Sequence, residues 1–174
     1  IYPIADNDTP KLSADRLEYS LSNALFNCRL EKLDTIREIY NDISFQTNED
    51  GIAELGFNTL DVGLKFVWIT SVLSVIYKDD KTRYSMQLIA DILKDMSTLG
   101  IVTKEVLYTK REDEMLEVMR LNGYKDVIDT WSNACEVLTS REEPKGVYYV
   151  CHGAKVRYIN PLVNNLRITD KSRV

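Results

Sequence analysis

Three side chains near the start of the chain are candidates for a functional site. Asp15, Arg16 and Tyr19 lie within one short run, Ser13–Leu21. A carboxylate is a suitable ligand for Mn²⁺, Mg²⁺ or Fe²⁺, and residues four apart share a helix face, so Asp15 and Tyr19 can point at one site. An Asp in a first helical turn also stabilises the helix dipole. On the residues alone, Asp15 is therefore either a metal ligand or an exposed helix-stabilising charge.

The elements around these residues follow from apolar periodicity and turn signals. Ser13 is a plausible N-cap, and Leu17 and Leu21 place an apolar stripe on the first helix. The same spacing predicts further helices over about 33–40, 60–75, 81–96, 109–121 and 127–138. Alternating apolar residues predict a hairpin over 43–57 with its turn at Asn48–Gly51, and a second hairpin that pairs 147–150 with 156–159. Irregular structure is expected after Pro161. We thus predict a mainly α chain: one helical domain over 1–174 with two small β-hairpins.

Composition narrows the function classes. The 174 residues carry a net charge of −5, which argues against a mainly nucleic-acid-binding protein. The longest apolar stretch, 62–77, is interrupted by Lys65 and by polar residues, so no membrane span is expected. Three cysteines without CxxC spacing suit a reducing compartment. These features together predict a cytoplasmic protein.

Two segments resemble one enzyme family. The run Ser13-Ala14-Asp15-Arg16-Leu17-Glu18-Tyr19 resembles the final metal-ligand helix of the HD-domain phosphohydrolases, particularly the dGTP triphosphohydrolase-like and nucleotidase-like members. The segment 155–163 is similar to a run that follows the helical core in bacterial HD proteins. The resemblance implies a helical HD-like fold and hydrolysis of a phosphoester or phosphoanhydride, with a nucleotide as the expected substrate. It also implies Asp15 as a metal ligand, Tyr19 and Arg16 as substrate contacts, and Mn, Mg, Fe or Ni as the divalent metal in the complete enzyme.

The remaining ligands of that family are a His and a His-Asp pair, all N-terminal to this helix. The chain begins at Ile1, and its one histidine, His152, lies far downstream at an expected exposed turn. We therefore expect the C-terminal portion of such an enzyme, which alone does not retain the metal and is inactive. Its expected partner is the N-terminal portion of the same protein or another chain. That partner would cover Leu17, Leu21 or Leu25, which we expect to be uncovered in this chain.

A second interpretation belongs to a different class. The chain could be a non-catalytic helical binding or regulatory module with a decayed or incomplete metal site. Such a module would act through an exposed apolar face or through its basic C-terminal end, which otherwise is a solvated tail. The basic residues of that end are Arg141, Lys145, Lys155, Arg157, Arg167, Lys171 and Arg173. An H…HD pattern upstream of Ile1 would favour the enzyme.

Overall fold

The computed structural model describes residues 2–151, 153 and 158–171. The helices among these residues are Ala14–Ser22 (α1), Leu33–Asn41 (α2), Leu60–Tyr77 (α3), Asp80–Thr98 (α4), Lys104–Thr109 (α5), Glu112–Met119 (α6), Lys125–Asn133 (α7) and Ile168–Lys171 (α8). Two π-helical turns, Asn23–Asn27 and Arg120–Tyr124, follow α1 and α6. The strands are Ile43–Thr47 (β1), Ala53–Phe57 (β2), Leu162–Val163 (β3) and Leu166–Arg167 (β4). The prediction of a mainly α chain with small β elements is confirmed.

The contacts divide the chain into two compact units. Unit 1 comprises Ile1–Tyr77 with Lys155–Val174, and unit 2 comprises Lys78–Ala154. The interpretation of residues 1–174 as one helical domain stays a prediction.

Unit 1 contains a four-stranded sheet in the order β1-β2-β3-β4. β1 and β2 are antiparallel with Phe45 opposite Leu55, which confirms the predicted hairpin. The side chain of Asn48 shapes its turn, because Oδ1 accepts hydrogen bonds from the backbone N–H groups of Asp50 and Ile52, both at 3.0 Å. Gly51 has a φ of 74°, a conformation that glycine adopts without steric cost. Local turn chemistry thus sets this hairpin.

The second hairpin lies elsewhere than predicted. Residues 147–150 form no strand, and residues 156 and 157 lie outside the described residues. The second hairpin is instead β3 with β4, so the prediction of irregular structure after Pro161 is wrong. Asn164 and Asn165 turn this hairpin at φ values of 51° and 63°, which asparagine tolerates better than most residues. β3 joins the sheet through parallel pairing with β2, and two-residue strands are too short to show a period in the sequence.

Helix α3 is the central helix of the unit 1 core. The helix is long and apolar enough to cross a membrane, a property that the core helix of a soluble protein can also have. Val62, Phe66, Ile69 and Leu73 are buried in the unit 1 core, whereas Leu64, Trp68 and Val75 of the same helix are exposed. A Cβ at Gly63 would lie 2.9 Å from side-chain atoms of Val163 and Ile168, so glycine allows β3 and α8 to approach the helix.

The apolar stripe of α1 is buried by the chain's own residues. Leu17 and Leu21 are each 3% exposed and belong to the unit 1 core with Leu12, Ile39 and Phe66. Leu25 is half-buried. The expectation that this face is uncovered is therefore wrong for Leu17 and Leu21, because α3 and the segment before α1 supply the contacts that we assigned to another segment.

Unit 2 packs α4, α6 and α7 around a core of apolar residues: Leu88, Ile92, Met96, Val102, Met115, Met119 and Ile128. The helix predicted over 109–121 begins later, at Glu112, where the Glu114 carboxylate accepts the Arg111 N–H at 2.9 Å. The last predicted helix ends at Asn133 rather than at Leu138. No residue over 134–140 is buried, so that segment lacks the packing that sustains a short helix.

Candidate functional site

The three residues singled out from the sequence line one pocket in unit 1. The pocket has a volume of about 150 Å³. Asp15, Arg16 and Tyr19 come from α1. Thr70, Ser74 and Tyr77, which recur at helical spacing along one face of α3, line the pocket with them. The structure therefore brings the α1 residues together with a wall of hydroxyl groups.

The start of α1 positions Asp15. The Ser13 Oγ accepts the backbone N–H of Arg16 at 3.3 Å, so Ser13 is the predicted N-cap. The backbone N–H of Asp15 donates to the Ala5 carbonyl at 3.3 Å, which connects the helix start to the N-terminal loop. Asp15 is exposed and Tyr19 is half-buried. An accessible carboxylate and a tyrosine one turn later thus border the same pocket, as their spacing predicts.

The guanidinium of Arg16 binds the N-terminal loop. Its Nη1 donates to Asn7 Oδ1 at 2.5 Å and to the Lys11 carbonyl at 3.1 Å. Its Nη2 donates to the Asn7 carbonyl. Arg16 therefore borders the pocket while its donors hold the loop that carries Thr9, another pocket residue.

The other polar groups of the pocket are mainly hydroxyls. Thr70 Oγ1 donates to the Val67 carbonyl at 3.0 Å, which leaves its lone pairs available as acceptors. Tyr158 contributes a further phenol from the segment before β3. A pocket with one carboxylate and several hydroxyls suits the hydroxyl-bearing part of a ligand, while an anionic phosphate would need a cation beside Asp15.

The described residues do not form a metal centre by themselves. No group of three His, Cys, Asp or Glu side chains with ligand spacing occurs among them, and Asp15 is the carboxylate that lines the pocket. A divalent ion needs several protein ligands to fix its geometry. His152, expected at an exposed turn, lies outside the described residues. A divalent ion at Asp15 would therefore need further ligands from residues other than those of this pocket.

A buried ion pair beside the pocket was missed in the sequence. The Glu54 carboxylate, in a residue 1% exposed, accepts from Arg167 Nη1 at 2.7 Å and from Arg167 Nη2 at 2.8 Å. It also accepts the Leu12 N–H at 2.9 Å and Asn48 Nδ2 at 3.1 Å. Four hydrogen bonds satisfy this carboxylate, as burial of a charge requires.

Neither partner of this ion pair was expected to be buried. The alternation of apolar residues over 43–57 predicted the hairpin without marking Glu54, yet all of 54–57 is buried. Arg167 was counted in the basic C-terminal end, yet it is buried in β4 while its neighbour Leu166 is exposed. Of that basic end, Arg141 and Lys145 are exposed. Arg167 is therefore not one of the exposed residues of the basic C-terminal end.

Arg167 also contacts a surface carboxylate, Glu49, and lowers its pKa. Arg167 donates to Glu49 Oε1 and Oε2 at 3.0 and 3.1 Å. These hydrogen bonds lower the pKa of Glu49. For Arg167, burial opposes the charge, but the hydrogen bonds to Glu54 and Glu49 outweigh it and raise the pKa of the guanidinium. Arg167 thus stays charged while bound between two carboxylates.

Comparison of the chain with protein-family models, with curated proteins and with solved structures gives no match.

Proposed function

We propose that this chain is part of an HD-type metal-dependent phosphohydrolase that acts on a phosphoester or phosphoanhydride of a nucleotide. The observation that carries the proposal is the pocket that Asp15 and Tyr19 share with the hydroxyl-bearing face of α3. A structural first-turn Asp would need no pocket beside it. The resemblance of the run Ser13–Tyr19 to the HD ligand helix supplies the reaction class.

Each pocket residue has a distinct proposed role. Asp15 is a metal ligand, and Tyr19 contacts the substrate beside it. Arg16 already donates to Asn7, so its first role is to hold the N-terminal loop against the pocket, and contact with substrate would use the N–H groups of the guanidinium that do not bind Asn7. The metal, when bound in the complete enzyme, supplies an activated water for attack on phosphorus. The cofactor class is a divalent ion, Mn, Mg, Fe or Ni.

The remaining ligands belong to residues beyond the described ones. We expect them from the N-terminal portion of the same protein or from another chain. Because one carboxylate does not fix a divalent ion, the purified 174-residue chain should show no phosphohydrolase activity above background with Mn²⁺, Mg²⁺ or Ni²⁺. Metal-dependent turnover of a nucleotide by this chain would contradict the division of the site. The proposed location is the cytoplasm, in keeping with the free thiols of Cys28, Cys135 and Cys151.

One observation favours the second candidate, a non-catalytic helical module. Leu17 and Leu21 are buried by the chain's own residues, so the face of α1 needs no partner to cover it. The module interpretation also requires Asp15 to lie away from any cleft, and Asp15 instead borders the pocket. The pocket therefore gives preference to the enzyme.

The metal content of the full-length protein tests the proposal. The protein, with any residues that precede Ile1, is purified without chelator and its metals are measured by mass spectrometry. Asp15→Asn should lose the bound metal. Asp34→Asn is the matched control, because Asp34 is also an exposed first-turn carboxylate, in α2, and should leave the metal content unchanged. Equal metal content in Asp15→Asn and the unmodified protein would refute the role of Asp15.

A further inference from the structure

The Glu54–Arg167 ion pair connects the two segments that border the Asp15 pocket. Arg167 Nη1 donates both to Glu54 Oε1 at 2.7 Å and to the Asn160 carbonyl at 2.9 Å. Asn160 directly follows Tyr158 and Ile159, which line the pocket. On the other side, Glu54 Oε1 accepts the Leu12 N–H at 2.9 Å, immediately before the N-cap of α1. One buried pair therefore holds both the start of α1 and the Tyr158 segment.

A backbone hydrogen bond also joins the two segments directly. The Asn160 N–H donates to the Pro10 carbonyl at 2.9 Å, and Pro10 follows the pocket residue Thr9. Each segment has little regular structure of its own to fix it: the α1 side is a loop up to Ser13, and residues 158–161 precede β3 as coil. Their relative placement therefore depends on this one backbone hydrogen bond and on the side chains of Glu54 and Arg167 that bridge them.

We propose that Glu54 and Arg167 are positioning residues of the Asp15 pocket, which set Tyr19 and Tyr158 at the separation that the ligand requires. The inference rests on the proposed function only in taking this pocket as the ligand site. A buried pair that served stability alone would not need to bind both pocket segments, since an apolar pair of similar volume is often as stable. The planar guanidinium suits the task because it donates to several fixed acceptors at once, which the point charge of lysine does not reproduce.

The test reads the pocket in the native state. The full-length protein is labelled with 3-fluorotyrosine, and the ¹⁹F resonances of Tyr19 and Tyr158 are assigned with Tyr→Phe variants. In Arg167→Lys and Glu54→Gln both resonances should move, well below the unfolding temperature. The matched control is Arg120→Lys, which alters the surface pair with Asp129 in unit 2 and should leave both resonances in place.

Opposite results overturn the positioning role. If the variants lower the unfolding temperature but leave the native resonances of Tyr19 and Tyr158 unmoved, the pair is structural only. If Arg167→Lys and Glu54→Gln do not unfold cooperatively, they are not folded well enough for the test, and the milder variant Glu49→Gln takes their place. It removes only the surface carboxylate that binds Arg167, and it should move the Tyr158 resonance in a folded protein. An unmoved Tyr158 resonance there refutes the proposal.

A second readout separates this inference from the proposed function. Mn²⁺ alone, added as a paramagnetic probe, should broaden the Tyr19 resonance in the unmodified protein and much less in Asp15→Asn. Equal broadening of the Tyr19 resonance in the unmodified protein and in Asp15→Asn contradicts the metal-ligand role of Asp15, whatever the result for the Glu54 and Arg167 variants. Asp15 and Tyr19 share helix α1, so the Arg167→Lys comparison uses the Tyr158 resonance. Broadening of Tyr158 that depends on Asp15 and is unchanged in Arg167→Lys contradicts the positioning role alone.

Discussion

The two units differ in the number of polar side chains that they bury. All six polar or charged side chains that are buried among the described residues lie in unit 1: Ser13, Ser20, Gln46, Asn48, Glu54 and Arg167. Unit 2 has an apolar core, and its polar side-chain contacts lie at or near the surface, as in the pair Arg120–Asp129. Buried polar groups demand specific partners, whereas an apolar core demands only volume and pattern. The unit with specific partners is the one that contains the pocket.

Gln46 shows how far this difference extends. Its Nε2 donates to the Phe57 carbonyl at 2.8 Å and its Oε1 accepts the Asn165 N–H at 2.8 Å, so one buried amide connects β1, β2 and the β3–β4 turn. Phe57 itself lies in the apolar core. Unit 1 therefore combines an apolar core with a polar framework that fixes the sheet and the segments beside the pocket.

The largest expected effect comes from breaking that framework. Glu54→Ala leaves the Arg167 charge buried without its main partner, which should cost about 3–5 kcal/mol of unfolding free energy. Asp129→Ala in unit 2 breaks a partly exposed pair with Arg120 and should cost much less, because solvent screens such pairs. Urea unfolding followed by fluorescence compares them, with Trp68→Phe and Trp131→Phe backgrounds reporting unit 2 and unit 1 respectively. Similar costs for the two variants would erase the distinction between the units.

Matched deletions in the two apolar cores should instead have similar effects. Leu21→Ala in unit 1 and Ile128→Ala in unit 2 each remove a fully packed aliphatic side chain, so each should cost about 2–5 kcal/mol. The same urea titrations measure both. If Ile128→Ala costs almost nothing, the unit 2 core is loosely packed, and the comparison would concern packing rather than polarity.

A smaller effect depends on pH. Arg167 lowers the pKa of Glu49 below its ordinary value of 4.5. The resulting stabilisation is present above about 4.5 and is lost as the pH falls through the lower pKa of the folded state. Because Glu49 is largely exposed, it should amount to less than about 1 kcal/mol. Unfolding free energies from pH 7 to pH 3 should show Glu49→Gln less stable than the unmodified protein at neutral pH, with the difference narrowing as the pH falls. A constant difference across that range would contradict the linkage.

Local signals explain what the sequence predicted. Ser13 as a cap, Asp15 in the first helical turn and Asn48–Gly51 as a hairpin turn each depend on a few adjacent residues, and the structure has all three. The pocket contains one such local feature, the i, i+4 pair Asp15 and Tyr19, and completes it with the hydroxyl residues Thr70, Ser74 and Tyr77 of α3, which no pattern in the sequence singled out.

Long-range pairing explains what the sequence missed. Glu54 and Arg167 are 113 positions apart, and neither residue carries a local mark of burial. The residues around Arg167 in the sequence are polar and charged, a composition that is typical of a solvated tail. The short strands β3 and β4 join the sheet only because β2 offers an edge beside them, which no period within 162–167 could show.

The smallest expected effect on stability belongs to the residue with the largest expected effect on function. Asp15 is exposed, and among the residues that the structure describes none forms a hydrogen bond with its side chain, so Asp15→Asn should change the unfolding free energy by less than about 0.5 kcal/mol. This separation makes the variant a clean probe of the pocket.

Hydrolysis by the full-length protein is the most direct test of the Asp15 pocket as a phosphohydrolase site. Nucleoside mono- and triphosphates are assayed with Mn²⁺ for the unmodified protein, Asp15→Asn and the first-turn control Asp34→Asn. The unmodified protein and Asp34→Asn should release phosphate at similar rates, while Asp15→Asn should be slower by about 100-fold or more. Turnover in Asp15→Asn equal to that of Asp34→Asn would contradict the proposed role of Asp15.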